Sequence, residues 1–337
     1  MTTVITGGCG FIGANLAKRL AEKGEGVVLL DNLSRKGASE NAKWLKSEKN
    51  VRLAKCDISK DQKTLDKEIA KADKVFHLAA QVAVTTSVQN PRQDFNDNAL
   101  GTFNILEALR KAGNGAPLVY SSTNKVYGGM ETIKVVEGKA RYSYADLPNG
   151  IPEIALLDFH SPYGCSKGSA DQYVRDYARI YGLNTVVFRQ SCIFGERQFG
   201  VEDQGWVAWF AIAAELGKPI TIYGNGKQVR DVLYVQDLLD AFEIAAEKIS
   251  KTRGQVYNVG GGPKNTMSLL ELLDYLEELF GKKIDYSFSD WRPGDQPCYV
   301  SDIRKAEKEF GWKPKTGAKE GVGKLVEWVK ANKGLFG

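Results

Sequence analysis

Thr6-Gly7-Gly8-Cys9-Gly10-Phe11-Ile12-Gly13 is the stretch that decides the fold of this chain. A short apolar strand over residues 2–6 runs into it, and a helix follows through about Lys23. The next apolar strand, Val27-Val28-Leu29-Leu30, ends on Asp31. Strand, glycine turn, helix, strand and terminal acid in that order make a dinucleotide-binding unit. The glycines let the backbone approach a pyrophosphate and let helix and strand pack closely. Free N–H groups at the start of the helix then meet the negative charge. The cofactor contacts expected here are Gly7, Gly10, Phe11, Ile12 and Gly13, with Asp31 and Asn32 at the end of the second strand. Asp31 is suited to accept hydrogen bonds from the adenosine ribose, and its charge repels a 2′-phosphate. That favours NAD over NADP, although Arg35 and Lys36 just downstream are the residues that would argue the other way.

The alternation continues outward from this unit. Val51-Arg52-Leu53-Ala54 reads as a strand leading to Asp57-Ile58, followed by a polar helix near 60–70. The strand from Lys74 to Leu78 ends in Ala79-Ala80, a long helix spans about Pro91 to Ala112, and the strand from Pro117 to Tyr120 ends in Ser121-Ser122-Thr123. Repeated strand–helix units of this length mean a parallel sheet with helices on both faces. Ligands in such sheets sit beyond the carboxyl ends of the strands. Asp57, Ile58, Leu78, Ala79 and Ala80 are therefore added to the cofactor set, and Ser121–Thr123 reads as part of a site rather than a plain strand-end turn. No clear helix is visible from Gly128 to Phe159, where Ile133–Glu137 and Arg141–Tyr144 alternate like a β-hairpin. Long connections in compact domains are usually functional or disordered, and this one leads straight into the next helix, so it is expected to border the pocket. A helix over 162–181, a strand Thr185–Arg189 and a turn to Gly195 follow.

Composition shifts from there. Arg197–Trp206 is polar and aromatic, a helix runs to Leu216, and Ile220–Tyr223 is a short strand. The apolar helix Val235–Ile249 and the strand Val256–Val259 return to the main sheet, and residues 266–337 supply more helices and the loop Trp291-Arg292-Pro293-Gly294-Asp295. The fold class expected is α/β, a Rossmann-type doubly wound parallel sheet with a smaller discontinuous C-terminal substrate lobe. Residues 1–190 form the dinucleotide domain, to which about 230–262 return, and 191–229 with 263–337 form the lobe. A chain of 337 residues has the size for such an arrangement.

Composition excludes several function classes. The net charge is +5, but basic residues alternate with Glu, as in Glu243-Ile244-Ala245-Ala246-Glu247-Lys248, and no basic block occurs. A solvated surface rather than a nucleic-acid partner is expected. No apolar run is long enough for a membrane span, and a first strand starting at about Thr2 leaves no room for a signal peptide. The five cysteines (Cys9, Cys56, Cys165, Cys192, Cys298) show neither paired nor metal-type spacing, which points to a reduced, cytoplasmic protein without metal. His77 and His160 are the only histidines, so His-based triads are largely excluded.

The chemistry is read in His160-Ser161-Pro162-Tyr163-Gly164-Cys165-Ser166-Lys167. Tyr163 and Lys167 stand one helical turn apart on the same face. Alone this spacing fits surface packing better than a site, and the rest of the chain has to raise the odds. A free tyrosine has a pKa of about 10, and a nearby ammonium, like a positive nicotinamide, is expected to lower it. Arg230 and Arg292 are candidates for a substrate pyrophosphate, because a guanidinium fork matches phosphate oxygens; salt bridges to Asp231 or Asp295 are the alternative. Trp206 and Trp209 either stack on a base or fill the core. His160 and Ser161 flank Tyr163 and are candidates for sugar contacts, and His77 is read as structural.

Several motifs in order resemble the extended short-chain dehydrogenases/reductases that act on nucleotide sugars, the NAD-dependent epimerase/dehydratase family. They are Thr6–Gly13, Asp57-Ile58, His77-Leu78-Ala79-Ala80, Asn98 with Gly101-Thr102, Ser121-Ser122-Thr123, Tyr163 with Lys167, and Arg230-Asp231, and they cover essentially the whole chain. The resemblance implies that Thr123, Tyr163 and Lys167 are the catalytic trio, that Tyr163 and Lys167 also touch NAD, and that Asn98 holds the cofactor region in shape. It assigns substrate contacts to Thr123, Ser161, Tyr163, Arg230 and Arg292. It also implies a homodimer through helices 91–112 and 162–181. In related 4,6-dehydratases an Asp-Glu pair follows the threonine; here Asn124-Lys125 follows, so elimination of water is disfavoured and epimerisation by hydride removal and return is expected. Ser121–Gly128, Leu157–Lys167 and Arg197–Trp206 are similar to the CDP-paratose 2-epimerases, also called CDP-tyvelose epimerases, which invert C2 of a CDP-linked 3,6-dideoxyhexose. Cys192 departs from the wider family, where asparagine is common. A UDP-hexose 4-epimerase, a deprotonation-type epimerase, and a non-catalytic NAD- or RNA-binding member of the fold are the alternatives.

Overall fold

The computed structural model describes residues 1–292 and 294–336. Pro293, in the expected loop 291–295, lies outside the described residues. The chain opens with β1 (Thr2–Thr6), α1 (Phe11–Glu22), β2 (Gly26–Asp31), α2 (Ala38–Leu45), β3 (Val51–Lys55), α3 (Gln62–Ile69) and β4 (Lys74–His77). Next come α4 (Val84–Gln89), α5 (Pro91–Phe95), a π-helical turn (Asn96–Leu100), α6 (Gly101–Ala112) and β5 (Leu118–Thr123). The long helix expected from Pro91 to Ala112 is therefore interrupted by a wider turn, and α2 and α4 are additional to the sequence reading. Asn90 sets the start of α5: its side-chain oxygen accepts from the Gln93 N–H at 3.1 Å, and Pro91 follows where a missing N–H costs nothing.

The hairpin pairs β6 (Val135–Glu137) with β7 (Tyr142–Tyr144) and is followed by α7 (Ser161–Ile180), β8 (Thr185–Gln190), β9 (Cys192–Phe194), α8 (Trp206–Leu216), β10 (Ile220–Tyr223) and β11 (Val229–Tyr234). The rest of the chain is α9 (Val235–Glu247), α10 (Ile249–Thr252), β12 (Val256–Val259), β13 (Thr266–Ser268), α11 (Leu269–Phe280), β14 (Tyr286–Ser289), β15 (Cys298–Tyr299), α12 (Arg304–Phe310) and α13 (Ala318–Ala331). The main sheet runs β12-β8-β5-β4-β1-β2-β3, with every pair parallel. Strand order reverses at β1, between β4 and β2, which opens a crevice beyond the carboxyl ends of those strands.

Both faces of this sheet are covered, which is why its central strands are apolar runs rather than alternations. One face packs Leu16 and Leu20 of α1 with Leu238 and Phe242 of α9 and Phe310 of α12. The other packs Leu65 and Ile69 of α3, Ile105 and Leu109 of α6, and Ala170 and Val174 of α7. A separate core joins α8, α11 and α13 to β10, through Phe210, Ile220, Ile222, Leu272, Leu276 and Val329, and belongs to the C-terminal lobe. There β11 pairs with β9, β13 and β15, and the chain rejoins the main sheet through α9 and β12. Among the described residues no helix is long and apolar enough to cross a membrane.

A buried ion pair locks α7 to the sheet. Asp171 of α7 accepts from Arg189 Nε at 2.9 Å and Nη2 at 3.0 Å, and from Ser122 Oγ at 2.8 Å. Removing one partner of such a pair strands a buried charge. Asp171→Ala is expected to lower stability by about 3–5 kcal/mol, measured by urea denaturation; a loss under about 1 kcal/mol would show the pair to be dispensable.

Candidate active site

The glycine turn leaves β1 through Gly7 at φ +65°, a left-handed conformation. A Cβ on Gly7 would stand 2.7 Å from the Ala79 backbone nitrogen, so the turn and the end of β4 pack backbone to backbone. Helix α1 then starts with no side-chain cap, leaving the N–H groups of its first turn directed at the crevice. Asp31, 8 % exposed, ties this turn to the end of β2: its Oδ2 accepts from Cys9 N at 2.9 Å and its Oδ1 from Leu33 N at 2.7 Å. Burial raises the Asp31 carboxyl above its ordinary pKa, and these two N–H groups pull the other way.

A cavity of ≈ 340 Å³ lies at the switch point. Gly7, Gly10, Phe11, Ile12 and Gly13 line it from the turn, Asp31 and Asn32 from β2, Asp57 and Ile58 after β3, and Leu78, Ala79 and Ala80 after β4. Thr123, Tyr163 and Lys167 line the same cavity. Lys167 donates from Nζ to the Ser121 carbonyl at 2.6 Å and lies over the Tyr120 ring at 4.4 Å, and burial pushes its ammonium down to about 7. Tyr163 is anchored by its own N–H, which donates to Ser87 Oγ at 3.2 Å. Burial pushes the phenol up to about 12, against the lowering effect of a hydrogen bond with Thr123 and of the Arg35 charge; Asp94 adds to the rise. The expectation that Lys167 lowers this phenol is corrected: burial outweighs the favourable contacts, and the Lys167 charge is directed at the Ser121 carbonyl. Thr123 Oγ1 accepts from Lys125 N at 3.2 Å, an internal cap for the short turn that follows.

Asn98, His160, Ser161, Arg230 and Arg292, all expected at the site, lie outside the cavity lining. Asn98 sits in the π turn, where its amide donates to Asp94 Oδ1 at 3.0 Å. Ser161, at φ +64°, accepts from Gly164 N at 3.2 Å and so caps its own helix. Arg230 pairs with Asp295 at 2.6 Å, and Arg292 pairs with Asp203 at 3.1 Å while stacking 3.9 Å over the Tyr223 ring. Lys125 approaches the same Asp295 at 3.9 Å, and burial, then the Arg230 charge, pushes it down to about 8. His77 is a buried cross-link between Thr6 and Thr102, with both ring nitrogens 2.8 Å from a hydroxyl. Trp206 lines the cavity with its Nε1 3.4 Å from Cys192 Sγ, whereas Trp209 packs against the lobe core.

Residues the sequence did not single out also line the cavity, notably Gln190, Ser191 and Phe199. Gln190 and Ser191 follow the rule of strand carboxyl ends, since β8 runs one residue beyond Arg189. Arg35 reaches across to Gln204 Oε1 at 3.1 Å, so the loop after β2 and the segment before α8 meet over the cavity.

Comparison with known proteins follows the same lines. The profile of the GDP-mannose 4,6 dehydratase family matches residues 4–325. The CDP-paratose 2-epimerase of Salmonella typhi is 48 % identical over 98 % of this chain and 100 % of its own length. The crystal structure of UDP-glucose 4-epimerase from Thermotoga maritima with UDP-glucose superposes with a TM-score of 0.85 at 32 % identity, covering 99 % of this chain and 100 % of that one. The UDP-glucose 4-epimerase of Thermus thermophilus, solved in complex with NAD, gives a TM-score of 0.81 at 31 % identity over 98 % of this chain and 100 % of that one. The chain belongs to this family of nucleotide-sugar epimerases and dehydratases.

The depressed Lys167 has a signed consequence. Its folded pKa, about 7, lies below its unfolded value of 10.5, so between these values the unfolded chain binds more protons and stability rises with pH. In ligand-free protein, the stability difference between wild type and Lys167→Met is expected to shift steadily in favour of wild type from pH 7 to about 10. Urea midpoints of both proteins across that range check it, and a flat difference would contradict a buried, proton-shedding lysine.

Proposed function

We propose that this family member is an NAD-dependent epimerase that inverts one ring carbon of a CDP-linked sugar, with C2 of CDP-paratose as the best-supported position. The observation that carries the reading is that Thr123, Tyr163 and Lys167 converge in the dinucleotide cavity of a chain that matches a CDP-paratose 2-epimerase end to end. Asn124-Lys125 behind Thr123 carries no acid for eliminating water, which favours epimerisation over dehydration.

The residues present fit NAD. The Gly7 turn packs backbone to backbone against Ala79, and the uncapped start of α1 offers its N–H groups to a pyrophosphate. Asp31 disfavours a 2′-phosphate. When bound, NAD⁺ supplies the hydride acceptor for sugar oxidation and, after the keto sugar turns over, the donor. Tyr163 takes the proton of the sugar hydroxyl and gives it back to the returned alcohol, and Thr123 bonds the same oxygen. Positive charge arriving beside the buried phenol favours its ionisation, and Arg35 acts in the same direction. Lys167 holds the nicotinamide ribose, and Asn98 keeps the helix beneath it in shape.

Arg230 and Arg292 grip the substrate diphosphate in this reading, phosphate oxygens replacing Asp295 and Asp203 as their partners. Ser161 contacts the sugar from the start of α7. Residues 1–190 with about 230–262 hold NAD, and 191–229 with 263–337 hold the nucleotide sugar. Exposed Phe95 on α5, Phe103 on α6, Tyr173 on α7 and Tyr181 just past its end support a homodimer through these helices. Five free cysteines suit the reduced cytoplasm. A second reading, UDP-hexose 4-epimerisation, is supported by the close superposition on the Thermotoga maritima enzyme.

Product identification by NMR from CDP-paratose and from UDP-glucose separates the two readings: inversion at C2 of the CDP-sugar is expected, and conversion of UDP-glucose alone would overturn it. In D₂O the inverted carbon should carry no solvent deuterium, since hydride returns internally; its appearance there would point to deprotonation. Tyr163→Phe is expected to retain NAD while kcat falls by about 10²–10⁴-fold. Undiminished turnover would remove Tyr163 as the base.

A further inference from the structure

Gln190 ends β8 beside Thr123, its partner in the parallel register with β5. Gln190 is among the residues lining the cavity although it is only 6 % exposed. Gln190 Oε1 accepts from Ser121 Oγ at 3.0 Å, which holds one end of the amide against β5. The other end, Nε2, is buried and has no hydrogen-bond partner among the described residues. The Ser121 carbonyl meanwhile accepts from Lys167 Nζ. Gln190, Ser121 and Lys167 thus form one bonded run along the edge of the cavity, next to Thr123.

An oriented, buried N–H without an acceptor is costly in a folded protein unless a ligand supplies the acceptor. We propose that Gln190 is a binding residue whose N–H takes a carbonyl oxygen where cofactor and sugar meet: the carboxamide oxygen of the nicotinamide or the keto oxygen of the oxidised sugar. The proposal rests on the reading that the cavity holds NAD and a nucleotide sugar. A neutral donor suits this place. It orients a carbonyl without adding positive charge beside a ring that is cationic when oxidised and neutral when reduced. It therefore leaves the balance between the two states undisturbed, which a reaction that removes a hydride and returns it requires. A lysine or arginine there would favour the reduced ring and hinder the hydride's return to the keto sugar.

The test compares wild-type holoenzyme with Gln190→Met, which keeps length and removes the N–H, and Gln190→Glu, which replaces the donor by an acceptor. NAD affinity is read by fluorescence titration, and escaped keto sugar is trapped by borohydride reduction and counted per turnover. Loss of NAD affinity by about tenfold in Gln190→Met assigns the bond to the carboxamide. Unchanged NAD affinity with about tenfold more escaped keto sugar assigns it to the sugar. Gln190→Glu should fail in the same readout and, by its charge, raise the fraction of oxidised cofactor at equilibrium with substrate. If Gln190→Met does not fold, Ser121→Ala, which releases the amide without removing it, should show a smaller loss in the same measurement. Variants within about twofold of wild type in both readouts would overturn the proposal while leaving the epimerase reading intact. Wild-type protein that binds no NAD would overturn both.

Discussion

The buried contact between Asp171 and Arg189 is the constraint on which the active site depends. Arg189 lies on β8 and is 2 % exposed, Asp171 lies on α7 and is fully buried, and Ser122 of β5 adds a third bond to the same carboxylate. Tyr163, Lys167 and Asp171 recur every four residues, so they form one stripe along α7. Asp171 anchors the lower end of the stripe to the two strands that carry Thr123 and Gln190. The phenol and ammonium at the upper end are then held at the cavity, the ammonium against the Ser121 carbonyl and the phenol beside Thr123. Such pairs often add little net stability compared with apolar packing. Here the pair specifies how a helix registers against a sheet, and the chemistry needs that register.

The site is built so that charge is disfavoured until a ligand arrives. Burial pushes Lys167 down to about 7 and Tyr163 up to about 12, so the fold by itself opposes both ionised forms. In the proposed reading, a cationic ring entering beside the phenol changes that balance, which would link base activation to cofactor binding. The substrate end follows a parallel logic. Arg230 and Arg292, the proposed diphosphate contacts, are each matched with a carboxylate from a loop, Asp295 and Asp203, so neither guanidinium lacks a counter-charge. Lys125 shares Asp295 and is pushed down to about 8. The two halves of the cavity meet where Arg35 from the loop after β2 bonds Gln204 from the segment before α8.

Much of this was legible in the sequence because the governing rules are local. The glycine turn, the acid ending β2 and the alternating strand and helix lengths dictate a parallel sheet and its crevice, and the residues at strand ends fall into the cavity as a group. The interruption of the helix between Pro91 and Ala112 was not legible, because a π turn leaves no mark in apolar periodicity. The fate of Arg230 and Arg292 was open for a similar reason: a guanidinium takes phosphate or carboxylate with the same geometry, and only the fold decides which acid is near.

The sequence by itself determined the fold class, the dinucleotide turn and the residue types able to perform the chemistry, since each follows from spacing within one or two elements. Tertiary structure alone decided three further matters. It set the direction of the Tyr163 shift, because desolvation depends on everything packed around the ring. It turned Ser161 back onto its own helix. It also left one end of the Gln190 amide without a partner among the described residues, because Ser121, which bonds the other end, is remote in the chain and meets it only when β5 and β8 pair.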